Sequence, residues 1–296
     1  MTVWQQSAVA EWEARGSYRE LAGHRVFTVE VPPEGPERLE PLLVVHGFPT
    51  SSFDFHSVVG PLSAGRRVLL LDLLGYGLSA KPDLAYHLDL EAEVVAAYTA
   101  SLGVTEVALL THDVGDTVGG ELLARQLEGR WPVSITRRVI TNGSVYIAMA
   151  HLSTGQELLL ALPDERLADD DLLNAATIGA GLAATFSPGA VVDGAELAAM
   201  SELVAHGGGN RLLPRLIRYI EERRRNERRY TGAIEAHPSP LAIVWGRDDP
   251  IAVPAIADRL AESRAGSPLT WLDGVGHYPM VEAPGAFAAA VLAHLG

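Results

Sequence analysis

Six short, nearly unbroken apolar runs punctuate the chain. They are Leu42–Gly47 (LLVVHG), Arg67–Gly75 (RVLLLDLLG), Glu106–Asp113 (EVALLTHD), Arg137–Gly143 (RRVITNG), Leu241–Gly246 (LAIVWG) and Pro268–Gly274 (PLTWLDG). Runs without alternation suit strands buried on both faces of a parallel sheet. An earlier run, HRVFTVEV (His24–Val31), alternates apolar and polar residues and predicts a half-buried strand. The turn-rich PPEGPERLEP follows it. Helical periodicity fills the gaps. Residues 88–103 begin with acids and stop at a glycine, as a helix does. Residues 115–129, 253–266 and 284–296 read the same way. Strand and helix in alternation predict an α/β fold with a mostly parallel, doubly wound sheet.

The alternation lapses once. From Ser144 to about Glu235 no strand pattern appears, and loops are expected at PDERLADDD and HGGGN. Residues 144–235 are therefore expected to form a helical cap domain inserted into a core made of 1–143 and 236–296. The end of that insertion, RLLPRLIRYIEERRRNERRY, carries eight arginines between Arg211 and Arg229, offset by Glu221, Glu222 and Glu227. This reads as a solvated helix face laced with ion pairs; an anion-binding lid is the functional alternative.

Composition narrows the function classes. A net charge of -14 argues against nucleic acid as a partner, because phosphate binding needs a basic surface. The absence of cysteine removes disulfides, thiolate catalysis and zinc–thiolate sites. No apolar run approaches the roughly 18 residues of a membrane span. The opening MTVWQQSAVAEWEARG has acids where a secretion signal would be apolar. A cytoplasmic protein follows as an expectation, and oligomeric state stays open.

The stretch LLTHDVGDTVGGELL (Leu109–Leu123) holds the candidate chemistry. Asp113 ends an apolar strand, and Gly115, Gly119 and Gly120 open the helix behind it. Ligands of open α/β sheets bind beyond the carboxyl ends of the strands. The pattern follows the nucleophile elbow, with Thr111 in place of the first glycine and Asp113 in place of serine. A carboxylate is already ionised near pH 7 and needs no base in order to attack. It displaces a leaving group from saturated carbon or opens a strained C–O bond, giving an alkyl ester for a histidine-activated water to hydrolyse. Capping of the following helix is the plainer role open to Asp113.

Three further motifs accompany it, one before it in the chain and two after. VVHGFPTSS offers the backbone N–H of Phe48, which with that of Val114 makes a pair of oxyanion donors. VWGRDDPIAVP places Asp249, or its neighbour Asp248, to orient a histidine. LDGVGHYPMVEAP supplies His277. The order nucleophile, acid, histidine is that of the α/β-hydrolase architecture. His46, His112 and Asn142 flank the expected pocket and are candidate substrate contacts. No third ligand with metal-like spacing joins His46 and His112, so neither metal nor cofactor is expected.

With these motifs the chain resembles the epoxide hydrolase and haloalkane dehalogenase superfamily of α/β-hydrolases over nearly its whole length. Within it, HGFPTSS, HD-x-GD and the arginine-rich YIEERRRNERRY are similar to the branch of the mesoderm-specific transcript homologue proteins and their bacterial relatives. The resemblance implies a small apolar electrophile as substrate. Dehalogenases of the superfamily hold the halide with a tryptophan after the nucleophile, where this chain has Val114. Losing such a donor costs about 1.5–3 kcal/mol. Epoxide hydrolases of the superfamily place cap tyrosines on the epoxide oxygen; the insertion here offers Tyr146, Tyr219 and Tyr230, with Tyr219 the first candidate. Epoxide-like hydrolysis is thus the first expectation and haloalkane or haloacid dehalogenation the second. A hydrolase scaffold that binds a small molecule without turnover is the rival of a different class.

Overall fold

The computed structural model describes residues 3–164 and 173–296; the predicted loop PDERLADDD lies, from residue 165 onward, outside the described residues. Eight strands form one sheet: β1 Ser17–Leu21, β2 His24–Val31, β3 Leu42–Val45, β4 Val68–Leu71, β5 Glu106–His112, β6 Ser134–Thr141, β7 Leu241–Gly246 and β8 Leu269–Leu272. Their order is β1-β2-β4-β3-β5-β6-β7-β8. From β4 to β8 every pairing is parallel, and β1 and β2 add an antiparallel edge. β3, β4 and β7 are buried at every position, which explains their unbroken apolar runs.

β1 has no counterpart among the predicted strands. SYREL is polar and largely solvent-facing, as befits an edge strand, so the apolar signal is missing. It is a hairpin partner of β2 across Ala22–Gly23, both at positive φ (49° and 80°), as a two-residue hairpin turn requires.

Helices α1 Val3–Arg15, α2 Val59–Leu62, α3 Leu88–Ser101 and α4 Val114–Leu127 accompany the first half of the sheet. The connection from β6 to β7 carries α5 Thr154–Ala161, α6 Ala175–Ala183, α7 Gly194–Ala205, α8 Leu213–Leu216 and α9 Tyr219–Ala236, and no strand among its described residues. The chain closes with α10 Pro254–Ser263, α11 Pro279–Glu282 and α12 Pro284–Leu295. No helix among the described residues is long and apolar enough to cross a membrane.

α9 packs along α4, the helix that follows Asp113. A Cβ on Gly120 would lie 2.9 Å from the carbonyl oxygen of Tyr230, so the glycine permits the approach. Arg229 spans the same contact, with Glu121 on one side and Glu128 on the other. The arginine-rich segment is only partly the solvated face its composition suggests. Arg229 and Arg218 make surface ion pairs, but Arg223 is 1% exposed and points inward.

Candidate active site

β5 delivers Asp113 to the carboxyl edge of the sheet in a conformation few residues adopt, with φ 49° and ψ -112°. Such a backbone costs on the order of 1–3 kcal/mol and persists only where the surroundings enforce it. Here they do. A Cβ on Gly115 would fall 2.3 Å from the carbonyl oxygen of Val45, so α4 starts pressed against β3. A Cβ on Gly47 would fall 2.9 Å from that of Asp113, so the HGFP loop passes just as close. Thr111, the residue in place of the expected glycine, is buried and donates its hydroxyl to Asp116.

The Asp113 carboxylate is 2% exposed, and its Oδ2 accepts the backbone N–H of Phe48 at 2.9 Å. Val114, the other expected oxyanion donor, is the first residue of α4, where an N–H has no intrahelical acceptor.

His277 and Asp249 meet as anticipated. The imidazole donates from Nδ1 to Asp249 Oδ2 at 2.8 Å. Asp249 Oδ1 also accepts the N–H groups of Ile251 (2.7 Å) and Ala252 (2.9 Å). Asp248 is exposed, so the ambiguity between the two acids resolves to Asp249. Burial alone pushes the imidazole pKa down; the facing Asp249 overrides it, Asp113 and Glu282 add to it, and the value rises to about 9.

Asn142, expected as a substrate contact, is turned to a different task. Fully buried at φ 47°, it donates to Asp249 Oδ2 (2.8 Å) and to the carbonyl of Gly276 (3.2 Å), and accepts Gly246 N–H (2.9 Å). Its amide is spent on holding the acid and the histidine loop together.

His46 is likewise occupied: Nδ1 donates to Gly47 O (2.8 Å) and Nε2 accepts Leu73 N–H (2.9 Å). His112 donates from Nε2 to the carbonyl of His277 at 2.8 Å, fixing the histidine loop to β5. Burial pushes its pKa well down, and the His277 charge adds to the effect, so it is neutral. Tyr146 is engaged by other groups. Its hydroxyl donates to Glu235 (2.5 Å) and contacts Ser263 (3.2 Å), with Arg259 over the ring. All three side chains, expected as substrate contacts, are held by other protein groups, and none lines the cavity described below.

Tyr219 does reach the site. It is 5% exposed, its ring lies 5.6 Å from that of Phe48, and Arg223 sits 5.0 Å from its centroid. Burial, reinforced by the Asp113 charge, drives its pKa up, so the phenol keeps its proton. Two tyrosines that the sequence reading passed over also come close. Tyr76 packs edge-on against His46 and Phe48, and Tyr278 donates to Phe48 O at 3.3 Å. Tyr278 stands beside His277 in the chain, which was a usable signal; Tyr76, after β4, gave none.

A cavity of about 130 Å³ adjoins this cluster. Phe48, His277 and Tyr278 form its inner wall, and Leu159, Ile178 and Leu182 from the β6–β7 connection form much of the rest. Asp113 is not in the wall; it lies one hydrogen bond behind Phe48. Among the described residues no cluster of three His, Asp or Glu side chains is placed to hold a metal ion.

Comparison with known proteins agrees with this architecture. The model of the alpha/beta hydrolase family matches residues 42–290. The chain is 38% identical over 289 residues to the putative hydrolase LipZ of Mycobacterium tuberculosis (strain ATCC 25618 / H37Rv), covering 97% of this chain and 98% of that one. It is 30% identical over 302 residues to the mesoderm-specific transcript homolog protein of Bos taurus, covering 96% and 87%. The solved haloalkane dehalogenase DbeA from Bradyrhizobium elkani USDA94 shares the fold, with a TM-score of 0.75 at 20% identity over 94% of this chain and 96% of that one. Sequence and structure together make this chain a member of the alpha/beta hydrolase family.

Proposed function

We propose that the protein is a cofactor-independent hydrolase of small apolar epoxides, with Asp113 as nucleophile and Asp249–His277 as the water-activating pair. The observation that carries this reading is the hydrogen bond from Phe48 N–H to Asp113 Oδ2. In a serine hydrolase the oxyanion donor waits for the substrate's carbonyl. Here it already holds the side chain's own oxygen, so the tetrahedral intermediate forms on Asp113 itself.

The steps balance without a cofactor. The free oxygen of Asp113 attacks a ring carbon, and the C–O bond to the epoxide oxygen breaks. The alkoxide takes the Tyr219 hydroxyl proton, which the His277 imidazolium replaces. Esterification removes the Asp113 charge that helped hold that proton on His277. Neutral His277 then takes a proton from water as it adds to the Asp113 carbonyl carbon, and the oxyanion rests on Phe48 N–H. Collapse expels the diol, which takes the proton, and leaves an Asp113 carboxyl. That carboxyl ionises onto His277 and restores the starting pair.

Epoxides rank above halides because no tryptophan among the described residues lines the cavity, so a departing halide finds no indole N–H there, whereas Tyr219, which like Asp113 lies outside the lining but packs against Phe48, offers an alkoxide a phenol proton once the lining shifts. The cavity is close to the ~150 Å³ that holds a benzene-sized molecule, so substrates of that size are expected. Because Asp113 lies behind the wall, the lining must shift for them to react. A panel of terminal epoxides and matched haloalkanes tests the reading: diol release with little halide is expected. Halide release at equal or greater rate would reverse the ranking, and binding without product would mark a silent scaffold.

A further inference from the structure

Arg223 of α9 raises a question that its helix packing does not answer. Its guanidinium is 1% exposed, and among the described residues no carboxylate lies at ion-pair distance from it. Instead Nη1 donates to Ser144 O (3.0 Å), Nη2 donates to the backbone carbonyl of Asp113 (3.3 Å), and Nε has no partner. A buried arginine without a counter-ion is costly. Docking of α9 has other anchors, since Arg229, Glu121 and the Gly120–Tyr230 contact also clamp α9 to α4.

Its surroundings supply a reason. Two carboxyl groups, Asp113 and Asp116, are buried three residues apart at the start of α4. Asp116 Oδ2 has no hydrogen-bond partner; burial, reinforced by the Asp113 charge, pushes the Asp116 pKa well up, against the Thr111 hydrogen bond and the charge of Arg223. The carbonyl that Arg223 grips belongs to the residue in the strained backbone conformation. We propose that Arg223 is a positioning residue for Asp113: it fixes the elbow carbonyl and supplies a buried positive charge that favours the ionised nucleophile. This rests on the assignment of Asp113 as nucleophile.

Other groups around the carboxylate are accounted for. From the loop after β3 comes neutral His46, and from the loop after β4 comes Tyr76. β5 contributes neutral His112, α4 contributes Asp116, and α9 contributes Tyr219 beside Arg223. The final loop contributes Tyr278 and the His277 imidazolium, a second cation that does not touch the elbow carbonyl. Losing Arg223 therefore weakens the positive field without abolishing it.

The test measures the rate of covalent adduct formation on Asp113 against pH, by quenched flow and mass spectrometry, in the whole protein. Arg223→Gln keeps a hydrogen-bond donor and loses the charge. It is expected to slow adduct formation about 100-fold and to move the acid limb of the profile up by about one pH unit. Arg223→Lys keeps the charge, so its acid limb should coincide with that of the unaltered protein even where its rate falls. Arg229→Gln, in the surface ion-pair cluster of the same helix, sets the size of a purely structural effect and should shift no limb. An unmoved limb in folded Arg223→Gln overturns the proposal. If Arg223→Gln does not fold, a shifted limb in Arg223→Lys overturns it instead, and an unmoved one supports it. No adduct in the unaltered protein with any substrate it turns over would instead remove the nucleophile assignment, a failure distinct from either of these.

Discussion

His277 Nδ1 and Asp249 Oδ2 lie 2.8 Å apart in a site where neither side chain is more than 5% exposed. The acid is itself held by two backbone N–H groups and the Asn142 amide, so the imidazole has one orientation available. Asp249→Asn keeps the shape but presents N–H or a neutral oxygen to Nδ1. Hydrolysis of the covalent ester should fall by about 10³-fold or more, while ester formation falls far less. Single-turnover decay of the ester reads this directly; a change under tenfold would remove Asp249 from the mechanism.

The same contact sets a pH dependence of stability. Burial disfavours the His277 cation, but Asp249 overrides it and lifts the pKa from 6.5 to about 9. A pKa raised in the folded state means the contribution is complete below about 6.5 and disappears as pH climbs through 9. Its size is on the order of 3 kcal/mol. Denaturant unfolding of the protein and of His277→Gln should therefore show a stability gap that shrinks between pH 6 and pH 9.5. A gap that widens with pH would contradict the charge state assigned to His277.

Asn142 offers a test of the support behind the acid. Asn142→Gly keeps the φ of 47° without strain, whereas Asn142→Ala adds a Cβ in a left-handed conformation. Both leave Gly246 N–H and one oxygen of Asp249 short of a partner. The glycine variant should lose about 1–3 kcal/mol and the alanine variant more. Thermal unfolding with a turnover assay checks the order; equal, negligible losses would show that the amide carries nothing.

Much of this site was legible in the sequence because short backbone motifs make it. HGFP, HDVGD, RDDP and GHYP each lie at the end of a strand whose apolar run marks where the sheet ends, and chain order suggested the roles proposed above. Side chains from the β6–β7 connection were not legible. Tyr219 and Tyr146 both read as pocket tyrosines, and only packing separated the one beside Phe48 from the one bonded to Glu235. Arg223 sits within a run of three arginines, and nothing in the run marks it as the buried one. Edge strand β1 was invisible for a different reason, since its apolar content is too low to register.

The start of α4 gives a prediction about folding. In Gly115→Ala the new Cβ would meet the Val45 carbonyl at 2.3 Å and that of His46 at 2.7 Å. Both are backbone atoms of β3 and its loop, so the helix must move away. A loss of about 1–3 kcal/mol is expected, with turnover falling further because Phe48 and Asp113 separate. Unfolding midpoints and rates measured together test this; full activity in a folded variant would show that the close approach is dispensable.

The central claim is that Asp113 becomes covalently bonded to substrate before water releases product. His277→Gln, incubated with a turned-over epoxide and digested, should yield the Asp113 peptide heavier by the mass of the substrate, and hydroxylamine should release it as an ester. The same experiment with Asp113→Asn should give no adduct. An adduct on another residue, or none while the unaltered protein forms diol, would contradict the account.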